Sequence, residues 1–261
     1  MATALLADVG FESFVENEEG VDAYIPTDDF KLEAVIDSLD LLQEVEYTLS
    51  YREIAHENWN QKWEESFHPV VVDSRCAIRA PFHPAQPEVD YEIIIQPQMS
   101  FGTGHHQTTY LMTEFLLDEK DLSGQKVLDV GTGTGVLAIL AEKLGAIEVL
   151  GTDIEDYIVD NALENIQHNS CMNIRVEKAD LQQLRPKDRT VTLANINLNA
   201  LLAEMELMAA SLTTGGRLYL SGFYEQDSNT LVETASKYGL KKVEMKTRDH
   251  WTALKLIKHT G

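Results

Sequence analysis

Hydrophobic positions change their rhythm along this chain. From about residue 93 onward, short apolar runs alternate with segments whose apolar residues recur every three or four positions. The runs predict strands at 126–130, 147–153, 173–178, 190–195, 216–222, 240–247 and 251–258. The periodic segments predict helices over 106–118, 134–144, 155–169, 198–212 and 225–238. Such alternation implies an α/β fold, a mostly parallel sheet with helices on both faces. Only Thr247 to His250 connect the last two strands. Parallel neighbours need a long crossover, so this pair is expected as a hairpin, with the last strand antiparallel.

The first 51 residues follow another pattern. Residues 10–16 and 20–25 read as two strands around an acidic turn, and Phe30 to Leu42 as a helix. Thr27 and the neighbouring aspartates are its cap candidates. Val45 to Leu49 alternates like a further strand, and Ala2 to Ala7 reads as part of a helix. Residues 1–51 are thus expected to form a small α+β domain. Residues 52–90 read as a helical linker and connecting segment, and 91–261 as the large domain. In the linker Trp59, Trp63 and Phe67 stand four residues apart, a stripe that suits core packing better than a ligand box.

With 44% hydrophobic and 25% charged residues in 261, the composition is that of ordinary globular chains. Charge changes the picture more. The net value is −22, from 43 acidic against 21 basic residues. This argues against nucleic-acid binding and suits a cationic partner such as a basic protein segment, although solubility accounts for most of the charge. Cys76 and Cys171 have no metal-ligand spacing and suggest no disulfide framework, which fits a reducing cytoplasm. No apolar run is long enough to span a membrane, and no signal-peptide layout is present.

Candidate chemistry concentrates in Val127-Leu128-Asp129-Val130-Gly131-Thr132-Gly133-Thr134-Gly135. A strand runs into three alternating glycines and a helix follows. Asp153 ends the next strand, 22 residues beyond Gly131. Glycines let a backbone approach a ligand, a helix N-terminus offers free N–H groups, and the acid accepts ribose hydroxyls. The dinucleotide fingerprint G-x-G-x-x-G fails in both registers, because Val136 or Ala138 stands where its third glycine belongs. That counts against a nicotinamide-dependent oxidoreductase. Strand-D-x-G-x-G-x-G is similar instead to class I S-adenosylmethionine-dependent methyltransferases, whose sheet also finishes on a reversed strand.

Three further segments carry candidates. Gln96 to Thr109 is a tight loop entering a helix, with Phe101, Gly102 and Thr103 placed to fold over a cofactor; Thr103 taken alone reads equally as a cap. Asn195 ends the fourth strand of the large domain, at the edge where open α/β sheets bind ligands. It is placed to hydrogen-bond a substrate amine, while Asn197 or Asn199 can equally supply an Asx turn there. Asp180 either meets an adenine amino group or caps a helix or turn. His105 and His106 are adjacent, share no face and have no second ligand pair, so no metal site is expected. A structural role, a substrate gate or a general base remains open to them.

Phe101-Gly102-Thr103-Gly104-His105-His106-Gln107-Thr108-Thr109, the glycine segment, Gly151-Thr152-Asp153-Ile154 and Ala194-Asn195-Ile196 together resemble the bacterial ribosomal protein L-eleven methyltransferase family, PrmA type. The likeness extends over about 52–258, and the loop pattern F-G-T-G-x-H-x-T-T is its specific part. It implies a class I methyltransferase Rossmann-like sheet with a ferredoxin-like N-terminal domain that grips the substrate. It implies transfer from S-adenosylmethionine to lysine ε-amines and the N-terminal α-amine of a large-subunit ribosomal protein, met as free protein. Cofactor contacts carry over to Thr109, Gly131, Asp153 and Asn195. Phe101, Gly102, Thr103, Gly133 and Asp180 join them as candidates, with Asn195 also catalytic. Another protein lysine or a small molecule is the alternative substrate. Two features depart from the family: the small domain opens inside its helix, without a first strand, and Asn197-Leu198-Asn199 stands where a bulky or basic residue is usual.

Overall fold

The computed structural model describes every residue except 19, 43–44, 55–63, 65 and 260–261. The chain divides into two compact units, Met1–Asn60 and Gln61–Gly261.

In the first unit, helix α1 (Ala2–Asp8) precedes the antiparallel pair β1 (Ser13–Asn17) and β2 (Gly20–Tyr24), and helix α2 (Leu32–Leu39) follows. The Asn17 side chain accepts from Gly20 N at 2.9 Å across the acidic turn. Leu6, Val35 and Leu39 form a small core, with Phe11, Phe14 and Phe30 packed against it. Ser38 Oγ ties α2 to α1 through the Leu5 carbonyl at 2.9 Å. Two expectations fail in this unit. Thr27 does not cap α2; it opens a 3₁₀ turn, Thr27–Asp29, and Lys31 takes the cap position without a side-chain bond. Val45 to Leu49 forms no strand. Its residues are exposed, and alternation without a partner edge leaves backbone groups that water satisfies equally well. Trp59 and Trp63 lie outside the described residues.

The second unit holds a seven-stranded sheet built from β6 (Lys126–Val130), β7 (Glu148–Asp153), β8 (Ile174–Lys178), β9 (Arg189–Asn195), β10 (Leu212–Tyr224), β11 (Leu240–Arg248) and β12 (Trp251–Lys258). Its order is β11-β12-β10-β9-β6-β7-β8, and only β12 runs against the rest. The expected hairpin is present. Asp249 and His250 turn it with φ of 48° and 68°, the two positive angles that a two-residue loop needs to match strand twist.

Period-two alternation sends side chains to two separate cores. Val127, Val149, Leu193 and Tyr219 join one core with α3 (Gln107–Glu119) and α4 (Val136–Lys143), to which Ile166 of α5 (Asp156–His168) also belongs. Leu128, Leu150, Ala194 and Leu220 join the other with α7 (Leu198–Ser211) and α8 (Ser228–Ser236). The short helix α6 (Leu181–Leu184), which the periodicity does not signal, contributes Leu181 to the second core.

The stretch expected as linker carries structure of its own. β3 (Val70–Val72) and β4 (Cys76–Arg79) pair antiparallel, and β5 (Tyr91–Ile94) adds parallel to β4. Val72, Cys76, Ile78 and Ile93 are buried in the first core. These strands are three or four residues long, below the length at which alternation is readable.

Candidate active site

β6 lies between β7 and β9, so the chain leaves it in one direction and later returns on its other side. Open α/β sheets bind ligands at the carboxyl ends of the strands beside such a switch. The glycine loop leaves β6 at that point. Gly131, Gly133 and Gly135 have φ of 66°, 56° and 80°, left-handed values that other residues adopt only with strain. A Cβ on Gly131 would overlap the Ile196 side chain, and one on Gly133 the Phe101 carbonyl.

Threonines and acids fix this loop. Thr132 Oγ1 donates to Asp129 at 2.7 Å, and Thr134 donates through N to Phe101 O at 2.9 Å and through Oγ1 to Gly102 O at 2.8 Å. The Phe101–Thr103 loop therefore lies directly on the glycine loop. Asp153 ends β7 and accepts from Gly133 N at 3.2 Å and Ile154 N at 2.8 Å. Asp129 is 1% exposed, and burial pushes its carboxyl up to about 6, with Asp153 acting in the same direction.

Asn195 ends β9, and its Nδ2 donates to Thr109 Oγ1 at 3.5 Å, at the edge of hydrogen-bond range. Its Oδ1 is buried and has no partner among the described residues, as is the Ser100 hydroxyl. Asn197 is the cap of α7, accepting from Ala200 N at 3.0 Å, so the capping alternative falls to it and not to Asn195. Asp180 caps α6 through Gln183 N at 2.8 Å. The cap reading of Asp180 thus describes one of its oxygens.

The two histidines are engaged. His105 Nε2 meets the His68 carbonyl at 2.9 Å, so it carries the hydrogen, and Nδ1 accepts from Thr103 Oγ1 at 3.1 Å. His106 caps α3, its Nδ1 lying 2.8 Å from Thr108 Oγ1 and 3.3 Å from Thr108 N. Burial lowers its pKa, which favours the neutral ring.

One supporting set went unread in the sequence. Asn161 and Asn165 of α5 and Asn169 at its C-cap stand at four-residue spacing. Asn165 accepts from Gln96 N at 2.7 Å and donates to Thr134 O at 2.9 Å. Asn169 exchanges two bonds with Ile94, and Asn161 donates to Gln96 O. This ladder joins the approach to the Phe101 loop to the start of α4. Three asparagines on one helical face were the available signal.

A family model described as ribosomal protein L11 methyltransferase (PrmA) matches residues 5–259. A relative named ribosomal protein L11 methyltransferase in Phocaeicola vulgatus is 42% identical over 263 residues, covering 98% of this chain and 92% of its own. One of the same name in Porphyromonas gingivalis is 42% identical over 262 residues, covering 98% and 89%. Among solved structures, the ribosomal protein L11 methylase of Lactobacillus delbrueckii subsp. bulgaricus superposes with a TM-score of 0.68 at 26% identity, over 74% of this chain and 100% of that one. Magnesium protoporphyrin IX methyltransferase from Synechocystis, solved with bound SAM, shares the fold with a TM-score of 0.52 at 22% identity, over 62% of this chain and 86% of that one.

Proposed function

Because this chain belongs to the ribosomal protein L11 methyltransferase family, we propose that it methylates lysine ε-amines and the N-terminal α-amine of ribosomal protein L11, using S-adenosylmethionine. The substrate is taken as free protein in the cytoplasm, since a chain of net charge −22 is repelled by ribosomal RNA and attracted by cationic lysines. Residues 1–51 are assigned to substrate docking and 91–261 to cofactor binding and transfer.

The residues present fit the cofactor. Bare glycine backbone at Gly131 and Gly133, the Phe101–Thr103 loop and Thr109 would hold its methionine end, and Asp153 its ribose. Asp180 would reach the adenine through the oxygen that Gln183 leaves free. The bound sulfonium supplies a methyl group that is already activated, so the protein's task is to position the amine and exclude water.

The observation that carries this reading is the unpartnered, buried Oδ1 of Asn195. A buried acceptor left alone is unfavourable, and an incoming amine N–H satisfies it. Accepting that bond aims the nitrogen lone pair. The amine must first be neutral, from an ordinary lysine pKa near ~10.4. With His105 bonded at both nitrogens and His106 held as a cap, neither serves as base, and the proton leaves to water as the amine docks. Mass spectrometry of purified L11 after incubation with the enzyme and S-adenosylmethionine tests the proposal. Methyl increments on lysine and α-amine positions support it. No increment, with cofactor binding intact by calorimetry, would assign the site another protein lysine or a small molecule.

A further inference from the structure

The Phe101–Thr103 loop is pinned at two places of different character. On one side Thr134 Oγ1 donates to Gly102 O at 2.8 Å, in a buried position. On the other, Thr103 Oγ1 donates to His105 Nδ1 at 3.1 Å, and His105 Nε2–H donates to the His68 carbonyl at 2.9 Å, both at the exposed surface. Glycines flank Thr103, Gly102 with φ of 113° and Gly104 with φ of 92°, and glycine restrains a backbone least. The His68 carbonyl is itself anchored. The Phe67 ring lies 4.6 Å from the His105 ring and stacks on His83, at 5.9 Å with 10° between the planes. His83 accepts from Ala80 N through Nδ1 at 3.1 Å, and its Nε2–H donates to the Phe67 carbonyl. The Arg79 guanidinium, at the end of β4, donates to the carbonyls of Ala80 at 3.1 Å and His83 at 3.2 Å, and Glu92 of β5 holds it at 2.9 Å. An ion pair between β4 and β5 thus anchors residues 67 and 68, and His105 passes that anchorage to Thr103.

We propose that His105 is a positioning residue for the cofactor: it ties Thr103 to this anchor, keeps the Phe101–Thr103 loop closed on the cofactor's methionine end, and by opening sets the rate at which spent cofactor leaves. The inference rests on the assignment of that loop to cofactor binding. One imidazole serves both bonds, as acceptor at Nδ1 and donor at Nε2. The surface pin is the one that opens. Water competes for its two hydrogen bonds, whereas the Thr134 bond is shielded and holds the base of the loop against α4. Every turnover requires spent cofactor to leave before fresh cofactor enters, so a loop that opened only by breaking the buried bond would be slow to exchange. A surface hydrogen-bond pair between two glycines opens at lower cost.

Two measurements test the pin. His105→Phe keeps a ring against Phe67 and loses both hydrogen bonds. Hydrogen–deuterium exchange of the ligand-free protein, read by mass spectrometry, should show residues 101–105 exchanging about tenfold faster in this variant, with β6 and α4 unchanged. The second measurement is the release of radiolabelled S-adenosylhomocysteine, chased with unlabelled compound. Release should be about tenfold faster in His105→Phe, with the association rate nearly unchanged, and at least as fast in Thr103→Val. The double variant should release no faster than Thr103→Val alone, because both substitutions cut the same link. Unchanged loop exchange in His105→Phe, or single effects that multiply in the double variant, would overturn the inference. Failure of the wild type to bind S-adenosylhomocysteine sinks the parent assignment instead, and the hydrogen exchange still judges the pin.

Discussion

Asn195 and Gly133 illustrate how single residues divide the work. Asn195 offers a buried carbonyl that has no partner among the described residues, while its amide nitrogen is turned to Thr109. Asn195→Ala should therefore lower kcat about a hundredfold, the usual effect of losing a positioning contact, while calorimetry finds cofactor affinity changed far less. Equal losses in both would reassign Asn195 to cofactor binding alone. Gly133 has the opposite profile. Its left-handed φ and the carbonyl of Phe101 leave no room for a methyl group. Gly133→Ala is expected to weaken cofactor binding by at least about tenfold, with the circular dichroism of the folded chain retained. Asp129 adds a pH signature. Its folded pKa, raised to about 6 from the ordinary 3.8, means that the folded state holds its proton more tightly than the unfolded state. Its contribution favours the folded state below about pH 4 and is lost as pH rises to about 6, an effect of order 3 kcal/mol. Urea denaturation of Asp129→Asn against wild type should show the stability difference moving in favour of the variant across that window. A difference independent of pH would show that Asp129 is not buried as a protonated acid.

At the scale of elements, the site depends on how α5 is decorated. The asparagine ladder satisfies backbone groups of residues 94–96 that have no neighbouring strand to pair with on that side, and Asn165 extends the link to Thr134. Asn165→Ala leaves a backbone N–H and a backbone carbonyl unsatisfied in a buried place. The expected loss is about 3 kcal/mol, measurable by denaturant titration, together with a raised KM for S-adenosylmethionine, because the Phe101 loop sits on the same support. α3, α4, α5, α7 and six of the seven strands of the large sheet lie close to the ranges their hydrophobic rhythm predicts, whereas β10 extends beyond 216–222 at both ends and α8 is shorter than 225–238. β3, β4 and β5 were not legible, because so short a strand contains no full period. α6 was missed for the same reason. Val45 to Leu49 shows the converse, a pattern that alternates and still finds no strand to pair with.

For the whole molecule, charge is the property that acts at a distance. An acidic enzyme and a cationic substrate segment attract one another before contact, and salt screens that attraction. The value of kcat/KM for L11 is expected to fall roughly tenfold between low and high ionic strength, while the cofactor's Kd by calorimetry moves little. Salt-independent kinetics would mean that apolar contacts, and not charge, bring the substrate to the enzyme.

The strand-to-helix alternation, the hairpin at the end of the sheet and the glycine loop with its distant acid are local or periodic features. Binary patterning and glycine placement record them in the order of residues, and the family resemblance rests on the same motifs. Contacts between remote segments are not recorded that way. Which of Asn195 and Asn197 caps the helix, how Asp180 spends one oxygen, and which groups hold His105 and His106 were all decided by the tertiary structure. Those outcomes depend on backbone groups brought together across dozens of residues, where a hydrogen-bond partner or a ring edge becomes a neighbour only after the sheet has closed.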